Sequence, residues 1–226
     1  MAQKIERIAL TISIAAFAVA AIAGWVALDQ RSTRLPASVS KQEIGGVIRA
    51  HQEDLYRNSN DPILGNPDGD VTLVEFFDYR CTYCKQVHPV VMQLLWDDGN
   101  IRYVAKEYPI LGPVSTVAAQ AALASQKQGM YAAFSNALMS ARGLNEDLVF
   151  KIAQDIGMDP VRLLDDIDAL EDDINQTITN NITLAKQLGL QGTPVFIAGE
   201  SLVPGATSRA GLEKLISDAR ALNATR

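Results

Sequence analysis

Apolar positions change their spacing several times along this chain of 226 residues. Residues Ile8 to Leu28 form a run of 21 uncharged, mostly apolar positions. A helix rises about 1.5 Å per residue, so the run spans roughly 30 Å, the hydrocarbon thickness of a bilayer. Lys4 and Arg7 precede it, and Trp25 lies where an interfacial aromatic sits. Signal-peptide cores stop at about 7–15 residues, so residues 1–30 predict an uncleaved transmembrane anchor. A signal helix cleaved near Ala21-Ile22-Ala23 is the competing expectation. Residues 31–60 read as a linker with Pro36, then a short amphipathic helix. In that helix Ile44, Val47, Ile48 and Leu55 recur at helical spacing, and Gly45-Gly46 weakens it. It is expected to dock on its own domain, or on a second copy to give a homo-oligomer through residues 40–56.

Residues 61–226 carry a different rhythm. Asp61 to Asp70 is rich in Pro, Gly and Asn and predicts a loop. Val71 to Phe77 is dense in β-branched and aromatic residues and predicts a buried strand. An apolar helical stretch follows, ending near Trp96, and Ile101 to Lys106 predicts the next strand. Strand, helix and strand in that order suggest a parallel pair with a crossover. From Pro113 to Leu188 the spacing is helical, which predicts a helical insertion over about residues 112–189. Its acidic run, Asp165 to Asp173, reads as a solvated helix face. Pro194 to Ala198 and Ser201 to Val203 then predict a hairpin around Gly199-Glu200. Ser208 caps a last helix with Leu212, Leu215, Ile216 and Ala219 on one face.

Charge and cysteine usage narrow the function. The formal net charge is −6, and the first thirty residues are neutral, so the body is acidic and a poor match for nucleic acid. The chain has 2 cysteines, in Cys81-Thr82-Tyr83-Cys84. A disulfide there closes a very short loop and removes little chain entropy, so the spacing favours chemistry over stapling. The thiolate is the reactive form. At the start of a helix, the Cys81 sulfur would meet unpaired N–H groups and the positive end of the dipole, which stabilise the anion. Cys84, one turn on, could resolve a mixed disulfide. A zinc site from Cys81, Cys84, His88 and His51 is a competing arrangement. Covalent haem attachment needs a histidine where Lys85 stands.

Val74-Glu75-Phe76-Phe77-Asp78-Tyr79-Arg80-Cys81-Thr82-Tyr83-Cys84-Lys85 resembles the active-site segment of DsbA-family thioredoxin-fold proteins, including ScsC-like exported members. Pro89 matches the kinking proline of their active-site helix, and Gly192-Thr193-Pro194-Val195-Phe196 their cis-proline loop. Ser201 to Gly205 resembles the strand that follows. The resemblance implies an α/β, thioredoxin-like fold with an inserted helical subdomain, here preceded by an N-terminal transmembrane or signal helix. It implies Cys81 as the attacking thiol and Cys84 as the buried resolving thiol, with Thr82 and Tyr83 between them. Pro194 is implied to be cis, with Thr193 offering its backbone to an extended substrate peptide. Glu75 matches a buried acid that exchanges protons with Cys84. Lys106 is expected to pair with Glu75, and His88 to be a packing residue. No metal or separate cofactor is implied beyond a redox-active Cys81–Cys84 disulfide.

One departure bears on direction. Strongly oxidising members carry histidine between the cysteines, whereas Thr82-Tyr83 stands here. Tyr83 and Thr193 look more like the isomerase and reductase side of the superfamily. The leading expectation is an oxidase that introduces disulfides into cysteine-containing exported proteins and is reoxidised by a DsbB-like membrane partner. The alternatives are an isomerase or reductase served by a DsbD-like partner, and a non-enzymatic holdase or metallochaperone. The expected location is the bacterial inner membrane with the catalytic domain on the periplasmic side, or a soluble periplasmic form after cleavage.

Overall fold

The computed structural model describes residues 41–225. The expected anchor or signal helix and the linker that follows it lie outside the described residues. Two short helices come first, α1 (Lys41–Ala50) and α2 (Gln52–Tyr56). A strand β1 (Ile63–Gly65) follows, where a loop was expected. Only three residues long, it is too short to show an alternating pattern, yet it pairs antiparallel with β3 (Ile101–Glu107), Ile63 opposite Val104. Strand β2 (Val71–Phe77) runs parallel to β3, and the helix between them, α3 (Thr82–Asp98), makes the expected crossover. Gly99 ends α3 in the left-handed region, φ +66°, which glycine enters without penalty.

The helical insertion follows β3. It comprises α4 (Pro113–Ala124), a 3-10 turn at Ser125–Gln128, α5 (Tyr131–Ser140), α6 (Glu146–Asp155), α7 (Pro160–Ala169) and α8 (Glu171–Gln187). Ala118, Ala119, Ala121, Ala122 and Ala124 are all buried, and their small side chains let the neighbouring helices approach α4. Asn145 caps α6 through Leu148 N–H, and Asp159 caps α7, with Pro160 at its first position. Strands β4 (Val195–Ala198) and β5 (Ser201–Pro204) form the hairpin, and α9 (Arg209–Ala224) closes the domain with Ser208 as its cap. The sheet order is β1-β3-β2-β4-β5, with β2/β3 the parallel pair.

The two faces of this sheet build two cores. Leu73 and Phe77 on β2, with Tyr103 and Ala105 on β3, face α3 and the inserted helices. Val74, Phe76 and Val104 face the other way, against Ile48, Leu55 and the end of α8. The amphipathic segment thus docks on its own domain. Tyr56 Oη donates to Gly199 O at 2.7 Å and Arg49 pairs with Glu200. Among the described residues no helix is long and apolar enough to cross a membrane.

Candidate active site

The site forms where β2 ends. Asp78, buried beyond Phe77, holds the turn together. Its Oδ1 accepts from Arg80 N at 2.7 Å and Ser115 Oγ at 2.8 Å. Its Oδ2 accepts from Ile110 N at 2.8 Å and Leu111 N at 2.9 Å. This carboxylate ties the active-site turn to the loop before α4, a role that was not anticipated from the sequence. Cys81 N donates to Asp78 O at 3.0 Å, which sets Cys81 as the cap of α3.

Cys81 Sγ accepts from Cys84 N at 3.2 Å and faces Thr193 O at 3.3 Å. The Thr193–Pro194 bond is cis. Pro194 O accepts from Gly205 N at 2.7 Å, so β5 anchors the loop. The elements expected to converge do so: Cys81, Cys84, Thr193 and Pro194 form one site. Thr82 and Tyr83 are exposed between the cysteines, Tyr83 by 62%, and Pro89 lies exposed inside α3.

The two thiols have opposite electrostatics. Cys81 is drawn down to about 6, first by a hydrogen bond from the Cys84 thiol, then by the Thr193 side chain and the N–H groups of Cys84 and Tyr83. The Thr193 carbonyl favours the protonated thiol, and burial opposes ionisation, but the donors at the helix start outweigh both. Cys84 is fully buried. Burial foremost, then Cys81 and Glu75, push its thiol up.

Glu75 lies on the cysteine-facing side of the sheet, 1% exposed. Burial raises its carboxyl to about 8, against the hydrogen bond from Tyr103 Oη at 2.8 Å. Lys106 does not pair with it. The register sets Glu75 beside Ala105 and Phe76 beside Lys106, so Lys106 points to the opposite face. There it forms a fully buried ion pair with Asp61 and donates to Asp54 O. A shift of one residue in pairing parity thus overturns the expected contact.

His88 is buried and bonded to Asn136 Oδ1 at 2.7 Å, and burial lowers its pKa. His51 lies between α1 and α2, on the other side of the sheet, so the four zinc candidates do not converge. Two titratable residues near the site were missed. Lys85 Nζ donates to Leu138 O at 2.7 Å and Met139 O at 3.2 Å, at the C-terminal end of α5, and burial lowers it to about 8. Glu107, raised to about 8 by burial, accepts from Tyr79 and Tyr131, both at 2.7 Å.

This geometry pairs a stabilised sulfur anion with a buried second thiol beside a cis-proline loop. A family model described as thioredoxin matches residues 57–218. The chain belongs to the thioredoxin family. Within that family it resembles a thioredoxin-like oxidoreductase from Silicibacter pomeroyi DSS-3, at 43% identity and a TM-score of 0.73, over 75% of this chain and 98% of that one. It also resembles the thiol-disulfide exchange protein alpha-DsbA2 from Wolbachia pipientis, at 32% identity and a TM-score of 0.76, over 80% and 98% of the two chains. A curated relative, the Na(+)/H(+) antiporter NhaA 1 of Salinispora arenicola (strain CNS-205), is 39% identical over 85 residues. That match takes in 37% of this thioredoxin-family chain and 13% of the antiporter.

Proposed function

We propose that this chain is a thiol–disulfide oxidoreductase that passes a Cys81–Cys84 disulfide to cysteine-containing proteins outside the cytoplasm. The observation that carries the proposal is the contrast between Cys81, at about 6, and the buried Cys84, pushed up, with Thr193 O 3.3 Å from the first. In the oxidised form a substrate thiolate attacks Cys81 Sγ. The S–S bond breaks, Cys84 leaves as thiolate, and a mixed disulfide forms. A second substrate thiolate then attacks the substrate sulfur and expels Cys81 as its thiolate. Two electrons pass from the substrate dithiol to the protein. Glu75 gives a proton to the Cys84 thiolate on reduction and takes it back on reoxidation, which suits a carboxyl near 8. A substrate segment lies along the Thr193 backbone as an added strand. No further cofactor is needed.

The thiolate bears on direction. At about pH 7 a thiol at about 6 is mostly ionised, which favours the reduced form by at most about 1.4 kcal/mol, or ~30 mV; solvent screening at the mouth of the site trims this. That makes a donor of moderate strength, reoxidised by a DsbB-like membrane partner. The same modest value, with exposed Tyr83 between the cysteines, also favours a second reading as isomerase or reductase served by a DsbD-like partner. We place the domain on the periplasmic side, held by residues 1–30 as an anchor. Self-association through residues 40–56 would use the outer side of α1 around Val47, since Ile48 and Leu55 are buried in their own domain.

Oxidation of reduced RNase and reduction of insulin, each with Cys81→Ser beside it, test the proposal. Loss of both activities in the variant is expected; unchanged activities would leave a binding module, a holdase or metallochaperone. Equilibration with glutathione then tests direction. A potential above the thioredoxin value of about −270 mV is expected for the donor, and one at or below it means a reductase.

A further inference from the structure

Beside the cysteines, α3 and the end of α5 enclose a cleft of about 570 Å³. Arg80 and Thr82, the two neighbours of Cys81, form its near wall. Lys85 and Pro89 on α3 line it further along, and Arg142 stands on the loop after α5. No aspartate or glutamate lines it. Three other clefts of this chain, whose net charge is −6, each include Glu200, Asp218 or Asp173 in their lining.

The three cations are also uncompensated. Elsewhere most described arginines and lysines are tied to carboxylates: Arg49 to Glu200, Lys106 to Asp61, Arg209 to Asp97, Arg220 to Asp70 and Asp98. Among the described ion pairs none uses Arg80, Lys85 or Arg142. Lys85 feels the cysteine thiolates of the reduced protein, which the disulfide form lacks, and the charge of Asp78, but that carboxylate already accepts from Arg80 N, Ser115, Ile110 N and Leu111 N. The bonds these cations do make go to neutral carbonyls. Lys85 uses two of its three N–H donors on Leu138 O and Met139 O, and Arg80 places Nη1 on Leu111 O. Donors and positive charge therefore remain for a ligand.

We infer that this cleft selects substrates: it takes an acidic stretch of polypeptide next to the reacting cysteine. The inference rests on the exchange reaction proposed above, in which the substrate thiolate attacks Cys81 Sγ and Cys84 leaves. Carboxylates on the substrate meet Arg80, Lys85 and Arg142 as its sulfur reaches Cys81. A basic stretch meets the same three charges and is repelled. Complementary charge of this kind acts mostly on the rate of encounter, and salt suppresses it.

The test uses the oxidised full-length chain and reduced nonapeptides with one central cysteine, flanked by glutamates, serines or lysines. Flanking charge also changes a peptide's own thiol, so each rate is divided by that peptide's rate with uncharged hydroxyethyl disulfide. At low salt the corrected rate for the acidic peptide exceeds that for the basic one by about tenfold, and about 1 M salt removes most of the gap. Arg142 is exposed, so Arg142→Glu tests the charge without disturbing the core, and it lowers the acidic-to-basic ratio by at least about threefold. A ratio near one in the native chain, or an unchanged ratio in Arg142→Glu, overturns the inference. Absence of exchange with every peptide overturns the reaction itself.

Discussion

Glu75→Gln separates the cost of a buried carboxyl from its use. The substitution keeps the shape and an acceptor for Tyr103 Oη, and removes the titration. In the native chain the carboxyl moves from its ordinary 4.5 to about 8 because it is buried. Below about 4.5 both folded and unfolded chains hold the proton, and the stability of the protonated native form is fully present. As pH rises the unfolded chain ionises first, so the stability contributed by the protonated native form is progressively lost. The loss is complete above about 8, where the native carboxyl ionises too. The rise from 4.5 to about 8, at ~1.36 kcal/mol for each tenfold in proton affinity, gives a ceiling of about 5 kcal/mol. Urea unfolding of the reduced chain and its Gln variant near pH 5, 7 and 9 reads this directly. The variant should gain on the native chain by several kcal/mol between the first and last conditions. Cys81 runs the opposite way, since its lowered pKa stabilises the reduced fold at high pH and that contribution is lost as pH falls through about 6. It is present in both chains and cancels in the difference. The same variant should turn over more slowly near neutral pH, because the proton reservoir for Cys84 is gone. Parallel stability curves, together with equal turnover, would refute the reasoning.

Two further outcomes follow from the same geometry. Cys84→Ala removes the foremost cause of the low Cys81 pKa, so thiolate absorbance should titrate above the native midpoint of about 6 yet still below an ordinary thiol, because the backbone donors at the helix start remain. Lys106→Met leaves Asp61 buried without its cation and should cost about 3–5 kcal/mol in urea unfolding, while the Cys81 titration stays in place because the pair lies on the other face of the sheet.

The strand at Val71–Phe77 was legible because it is a run dense in β-branched and aromatic residues, and the one expected over Ile101 to Lys106 extends by one residue to Glu107. The cap at Cys81 was legible from the Cys-x-x-Cys spacing, whereas the cis-proline loop came from the family resemblance of Gly192 to Phe196 and not from any local signal. The pairing of Lys106 was not, because it depends on register. Glu75 and Lys106 sit on neighbouring strands, and nothing local in the sequence says that they differ in parity. Its true partner, Asp61, comes from a segment read as loop. Strand β1 escaped for a related reason: three residues carry no period, and only pairing with β3 makes them a strand. Asp78 and Lys85 stood in the motif itself, but their partners lie in the loop before α4 and at the end of α5, which local sequence does not place. The uncharged N–H donors around Asp78 and carbonyls around Lys85 leave no complementary charge to search for.

The sulfur held at the start of α3 can be questioned most directly by alkylation. The reduced native chain is treated briefly with iodoacetamide across about pH 4 to 10, and the modified cysteine is identified by mass spectrometry. Modification at Cys81 alone, with a midpoint near 6, is the result this account requires. Equal modification of Cys84, or a midpoint near the ordinary value of 9, would contradict it.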